Sequence, residues 1–306
     1  MTSLEKKTSS NFFMDTNYDT KSLSQYSIGK RIIAILESDF ADQKKEKQQR
    51  ATSLLDIGCG PGNLTNEIWK TLREYNVTIT GMDMDANALK RAALKYPNVR
   101  FEQSNIYAPT LQGKFDYIFS NEVLHWMPKV PDVFEKQEHV LYYFFDEQHQ
   151  KDYRSWGLGN YRSSWMNIRN FLSFGGKAFL QFGLDGQLKE TYQLMNHLIK
   201  SEFPAHCSNI IYPLFYPTME EVVEMGEELG FRILHQQLIK EDLVERTDEE
   251  IYHFIYGFSS NYLNAKLGKE NGNKLFHVLK NTLTNMNVEK IRSDAWYHGF
   301  FVLEKN

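Results

Sequence analysis

Residues 56–63 read DIGCGPGN, and the chemistry open to them is close approach of backbone to a ligand. Gly58, Gly60 and Gly62 let the main chain pass a bound molecule with no Cβ in the way, and Pro61 stiffens the turn. Taken alone, such glycines also suit a tight strand-to-helix connection. The second feature is Asp83 in GMDMD, 21 residues beyond Gly62. A carboxylate at that strand end can accept both hydroxyls of a ribose. The spacing is GxGxG rather than GxGxxG and makes no special provision for a pyrophosphate, so a ligand with a ribose but no diphosphate is favoured over a dinucleotide. S-adenosylmethionine is such a ligand.

Farther along, SNEVLHW places His125 beside Trp126. An imidazole titrates near neutrality and suits a general base for a phenol, thiol or amine, although a lone histidine is more often structural. The Trp126 indole is a hydrogen-bond donor and equally a candidate core aromatic. Between Pro128 and the Gly175-Gly176 turn lie 46 residues carrying Tyr142, Tyr143, Phe144, Phe145, Tyr153, Trp156, Tyr161 and Trp165, interspersed with Arg154 and Arg162. Directly after an active-site strand, this segment reads either as an aromatic wall of an acceptor pocket or as a helical insertion packing its rings on a sheet.

The elements that must hold these residues show in the pattern from Thr52 onward. SLLDIG, TITGMD, VRFEQSN, FDYIFSN and GKAFLQFG read as strands separated by helical stretches, which implies right-handed crossovers and a parallel sheet covered on both faces. A helix is expected near Ser24 to Asp39, before the charge run 42–50, which reads as a solvated helix end. YPTMEEVVEMGEELGF reads as a helix capped by Thr218 and stopped at Gly230. FRILHQQLI and HGFFVLEK read as strands flanking helices over the sheet's edge. One elaborated domain over 1–306 is expected: an arm and helix at 1–40, a cofactor-binding core at 51–185 with an insertion at about 130–165, and cap helices with closing strands at 186–306.

The composition excludes other classes. With 42% hydrophobic residues the chain can bury a core, and 35 Lys+Arg against 39 Asp+Glu lacks the basic excess of a nucleic-acid binder. Cys59 and Cys207 form neither a disulfide framework nor a metal set. A reducing cytoplasm is expected, because no apolar run suits a signal peptide or a membrane span.

Four blocks in order, DIGCGPGN at 56–63, TGMDMDANAL at 80–89, FEQSNI at 101–106 and FDYIFSNEVLHWMP at 115–128, resemble the class I S-adenosylmethionine-dependent methyltransferases. That resemblance implies an α/β fold, a Rossmann-like seven-stranded mostly parallel sheet with an antiparallel last strand and a helical cap. It implies S-adenosylmethionine as cofactor and S-adenosylhomocysteine as product. Asp56, Gly58 and Gly60 would line the methionine part and Asp83 would hold the ribose. Met84 and Ile106 would flank the adenine, and either alone would also pass for core filling. Family members usually have an acidic residue where Asn105 stands, and its amide oxygen can still accept from the adenine amino group. Asn121 would face the cofactor.

The SNEVLHW block is similar to that of trans-aconitate, juvenile-hormone-acid and malonyl-carrier-protein methyltransferases. Tyr18, Ser22 and Gln25, at spacing Y-x3-S-x2-Q, match the N-terminal signature of the plant salicylate/jasmonate carboxyl methyltransferases, which also carry a tryptophan where Trp126 stands. The same three residues also fit a polar arm with chance spacing. The resemblance implies that Tyr18 and Ser22 close over the cofactor while Gln25 and Trp126 donate to an acceptor carboxylate. The expected function is O-methylation of a small-molecule or carrier-linked acid by a monomer or homodimer, with no nucleic acid, membrane span or metal. The alternatives are amine or phenol methylation with His125 as base, and a non-catalytic cofactor-binding scaffold.

Overall fold

The computed structural model describes residues 23–46, 51–128, 130–135, 141–206, 210–242, 247–285, 291 and 294–306. Helix α1, Leu23–Glu46, buries Ile28, Ile32, Leu36 and Phe40, a stripe at four-residue spacing. It runs past the expected end at Asp39 because neither Gly nor Pro interrupts the charge run that follows. Near its end, Asp39 accepts from Lys177 and from the Tyr117 hydroxyl, pinning α1 to the sheet.

The strands are β1 Thr52–Ile57, β2 Val77–Asp83, β3 Arg100–Gln103, β4 Phe115–Asn121, β5 Leu172–Gly183, β6 Phe231–Asp242 and β7 Ala295–Lys305. They form one seven-stranded sheet in the order β3-β2-β1-β4-β5-β7-β6. The first five pair in parallel, while β7 runs antiparallel to both β5 and β6. The antiparallel last strand is therefore inserted beside the sheet's edge. The strand order reverses between β1 and β4, so their following loops part at the carboxyl edge and leave a crevice.

The crossover helices are α2 Asn63–Leu72 and α3 Ala86–Lys95, the latter capped by Asp85 accepting from the Asn87 and Ala88 amides. After the short α4, Asp132–Glu135, comes the 25-residue α5, Glu147–Phe171. It buries Tyr153, Tyr161, Trp165 and Ile168 on one stripe. Gly157 lies on that stripe because Phe215 packs there, 2.3 Å from where a Cβ would stand. Gly175, at φ 69, belongs to an irregularity within β5, where pairing with β4 slips, rather than to a turn between elements.

The cap contains α6 Lys189–Glu202, α7 Met219–Glu228, α8 Asp248–Leu267 and α9 Lys269–Asn285. Thr218 and Glu221 form a capping box on α7, and Thr247 and Glu250 form another on α8. The sequence places α8 and α9 over the sheet's edge. They pair with each other near the carboxyl end of the strands, with Phe258 against Tyr192 of α6 and Phe254 against Trp296 of β7. Their aromatic faces find apolar partners there that the exposed outer strand β6 does not supply. No helix among the described residues is long and apolar enough to cross a membrane.

Candidate active site

The loop after β1 holds Gly58, Gly60 and Gly62 at φ 73, 52 and 80, all in the left-handed region that glycine tolerates. A Cβ on Gly58 would lie 2.2 Å from Val123, whereas one on Gly60 would meet nothing within 4 Å. Gly58 therefore lets the β1 and β4 loops close on each other, and Gly60 faces open space. The loop is tied to β2, with the amides of Gly58 and Cys59 donating to the Met82 carbonyl and that of Gly60 to Asp83 Oδ2 at 2.8 Å. Asp83 Oδ1 accepts from the Asp85 amide. Each carboxylate oxygen keeps a further lone pair for a ligand. Burial pushes the Asp83 carboxyl above its usual range, against the pull of these amides.

Asp56, at the end of β1, is buried and accepts from the Thr65 hydroxyl of α2 at 2.6 Å. Burial pushes its carboxyl up to about 7; the Thr65 bond opposes the shift and the Asp83 charge adds to it. Cys59 is buried in the same loop, with its thiol pushed up by burial.

Asp56, Gly58, Gly60, Asp83, Met84, Asn105, Ile106, Asn121 and Trp126 all line one cavity of about 520 Å³, a volume suited to a small molecule. Met84 is half exposed and Ile106 is buried. Asn105 Oδ1 accepts from the Tyr107 amide at 2.9 Å, so the oxygen expected to serve an adenine retains one lone pair. The Tyr107 hydroxyl donates to the Trp126 carbonyl, binding the wall after β3 to the wall after β4. Asn167 of α5 donates to the Ile106 carbonyl and sets that wall from behind.

His125 and Trp126, adjacent in sequence, take opposite roles. The chain 125–127 is clamped to 213–215 by the Met127 amide on the Pro213 carbonyl and the Phe215 amide on the His125 carbonyl. Trp126 then lines the cavity, and His125 does not. The His125 Nδ1 accepts from the Gly183 amide at 3.1 Å, and burial pushes the ring down to about 4 despite nearby Glu122. His125 is thus neutral with its basic lone pair occupied, which corrects its reading as a general base.

The aromatic-wall expectation also needs correction. None of the described residues 141–165 lines the cavity. Their rings pack among themselves and on Phe182 and Phe215, with Tyr142 stacked on Tyr153 and Tyr161 edge-on to Phe182 and Phe215. Arg154 is spent on Glu221 and Asp185, and Arg162 on Glu228. Tyr18 and Ser22 lie outside the described residues. Gln25 is placed on α1 by its backbone alone.

Among the lining residues that escape the sequence reading are Tyr26, Tyr107 and Glu122. Tyr26 adjoins Gln25 on α1. Glu122 was legible only as a charged residue directly after a buried strand.

A family profile described as a methyltransferase domain matches residues 48–217, more than half of the chain. The trans-aconitate 2-methyltransferase of Rhizobium etli is 33% identical over 89 residues, which cover 29% of this chain and 34% of that protein. The enzyme of the same name from Deinococcus radiodurans is 39% identical over 79 residues, covering 26% and 29%. The chain therefore matches about a third of the length of these curated relatives. A loganic acid methyltransferase solved with SAH superposes with a TM-score of 0.79 at 14% identity, covering 96% of this chain and 97% of that one. At that identity the likeness shows the fold. The glycine loop, Asp56 and Asp83 stand at the crevice where such a sheet receives its ligand, and the profile spans them all, so the chain belongs to the class I methyltransferases, transferases whose cofactor is S-adenosylmethionine.

Proposed function

We propose that this enzyme methylates a carboxylate oxygen of a small-molecule acid, with Trp126 and Gln25 orienting the acceptor. The observation that carries the reading is the division between His125 and Trp126: the cavity receives the indole-bearing residue, while the imidazole is buried, neutral and bonded elsewhere. A phenol or ammonium must lose a proton before it attacks, and this imidazole is not available to take it. A carboxylic acid of ordinary pKa is already ionised at neutral pH and needs only orientation and removal of water. The relatives named for trans-aconitate methylation support the same class of acceptor.

The residues present fit the cofactor. The open space at Gly60 admits a ligand against backbone, and buried Asp56 and half-buried Asp83 offer carboxylates to cationic and hydroxyl groups. When bound, S-adenosylmethionine supplies an electrophilic methyl group on a sulfonium. In this reading Asp56 faces the ammonium of its methionine part, with Gly58 and Gly60 beside it. Asp83 accepts from the ribose hydroxyls. Met84 and Ile106 flank the adenine, Asn105 accepts from its amino group, and Asn121 faces the cofactor. Tyr18 and Ser22 close over it.

The test is transfer from methyl-labelled S-adenosylmethionine into small acids, followed by mild base and counting of volatile label. Release as methanol identifies a carboxyl methyl ester, whereas transferred label that resists base sinks the reading. Trp126→Phe, which keeps a ring and loses the N–H, is expected to lower kcat/KM for the acid by about tenfold to a hundredfold, since a hydrogen bond to a charged group contributes about 1.5–3 kcal/mol. Undiminished turnover would remove Trp126 from the acceptor site.

A further inference from the structure

Glu122 belongs to the cavity wall and takes no part in the cofactor or transfer roles described above. Its backbone is left-handed at φ 59, a conformation a non-glycine residue keeps only where its surroundings hold it. Those surroundings are specific. The Glu122 amide donates to the Gln181 carbonyl of β5, and its Oε1 accepts from the Gln181 side-chain amide and from His298 Nδ1 of β7 at 2.9 Å. Three strand ends thus converge on one carboxylate. The Oε2 atom accepts no hydrogen bond from a described residue, and His125 Nε2 stands 3.8 Å away. Burial alone would push this carboxyl up, but its neighbours, His298 foremost, outweigh it and hold the group below the usual carboxylate range. Glu122, ionised and largely buried, is therefore part of the wall that also includes Trp126.

We infer that Glu122 sets acceptor specificity: it selects acids that carry a hydrogen-bond donor near the reacting carboxylate, a hydroxyl or an ammonium, and rejects those with a second carboxylate. This rests on the carboxylate reading above. A sulfonium balances one acceptor carboxylate, but a second anion beside Glu122 would be buried against like charge. The basic lining residues Lys70, Arg91 and Lys95 belong to α2 and α3, and residues 119–128 contribute no Lys or Arg. A hydroxyl or ammonium instead gives Oε2 the donor it lacks. This sets the chain apart from relatives named for trans-aconitate, a polycarboxylate.

The test compares methyl transfer into a matched series of acids of equal length: unsubstituted, 2-hydroxy, 2-amino and dicarboxylic. The wild-type protein is expected to favour the hydroxy or amino acid over the dicarboxylate by about tenfold or more in kcat/KM. In E122Q, which keeps the shape and loses the charge, that ratio should collapse toward one. A wild-type preference for the dicarboxylate overturns the inference without any variant. An unchanged ratio in E122Q that still binds S-adenosylhomocysteine overturns it too, and leaves carboxyl methylation standing. If label enters only amines, the carboxylate reading fails, and Glu122 is judged by whether E122Q loses the preference for cationic over neutral isosteres.

Discussion

A buried carboxylate is costly to ionise, and Asp56 shows why a cofactor site accepts that cost. With its carboxyl pushed up to about 7 by burial, Asp56 is largely protonated at pH 5.5 and ionised at pH 8. The folded state holds this proton more tightly than the unfolded chain, so the contribution of Asp56 to stability falls as pH rises from about 4 to about 7. A ligand ammonium reverses the balance, because it pairs with the ionised form. Affinity for S-adenosylmethionine is expected to rise through pH 7 on titration calorimetry, and Asp56→Asn should remove that dependence. The same variant should weaken binding by about tenfold to a hundredfold while melting at a higher temperature than wild type at pH 8 without ligand. A wild-type affinity flat between pH 5.5 and 8 would show that Asp56 does not meet the cationic part of the cofactor. The residues open to this reasoning from sequence were those whose role depends on local chain geometry. The glycines declare their left-handed turn by type and Asp83 declares its strand end by spacing. Nothing local in SNEVLHW said that His125 would turn to Gly183 or that Glu122 would be trapped at positive φ, because both outcomes depend on β5 and β7, distant in the chain.

At the level of elements, the lengthened crossover α5 is where aromatic content was most ambiguous. Rings at 153, 161 and 165 sit at the spacing of a single helical face, and a wall around a ligand needs that spacing as much as a core does. Gly157 settles the matter in the structure, since the stripe closes directly on Phe215 in the segment that also clamps 125–127. The helix thus supports the acceptor wall from behind. Gly157→Ala places a methyl group against that ring, and overpacking of this kind costs about 1–3 kcal/mol. The expected result is a lower midpoint in urea with an unchanged slope, together with a kcat/KM loss larger than the stability change alone explains. Wild-type stability in Gly157→Ala would mean that α5 and residues 210–217 separate readily. Helix existence and the Thr218 cap were legible because apolar period and capping chemistry are local. The docking site of α8 and α9 was not, because an amphipathic stripe reports that a face is buried and not against what.

Across the whole molecule, the strand that comes last in sequence lies inside the sheet. Between β5 and β6, β7 pairs with both, and Phe301 stacks on Phe182 of β5 at a ring separation of 5.3 Å. The same buried cluster runs from Leu55, Ile57 and Phe301 in the sheet through Trp165 of α5 to Leu263 and Phe276 of the cap. Through His298, β7 also reaches Glu122 at the cavity. The cofactor half and the cap therefore share one core, and neither the sheet nor the acceptor wall is complete until residues 295–305 dock. Truncating Phe301 to Ala removes a fully buried ring from that shared core and is expected to cost about 3–5 kcal/mol. Because the core is shared, secondary structure by far-ultraviolet circular dichroism and S-adenosylhomocysteine binding should be lost at the same urea concentration, in the wild type and in the variant alike. A cap that melted earlier, with the cofactor still held, would separate the two curves and divide the molecule into independent units.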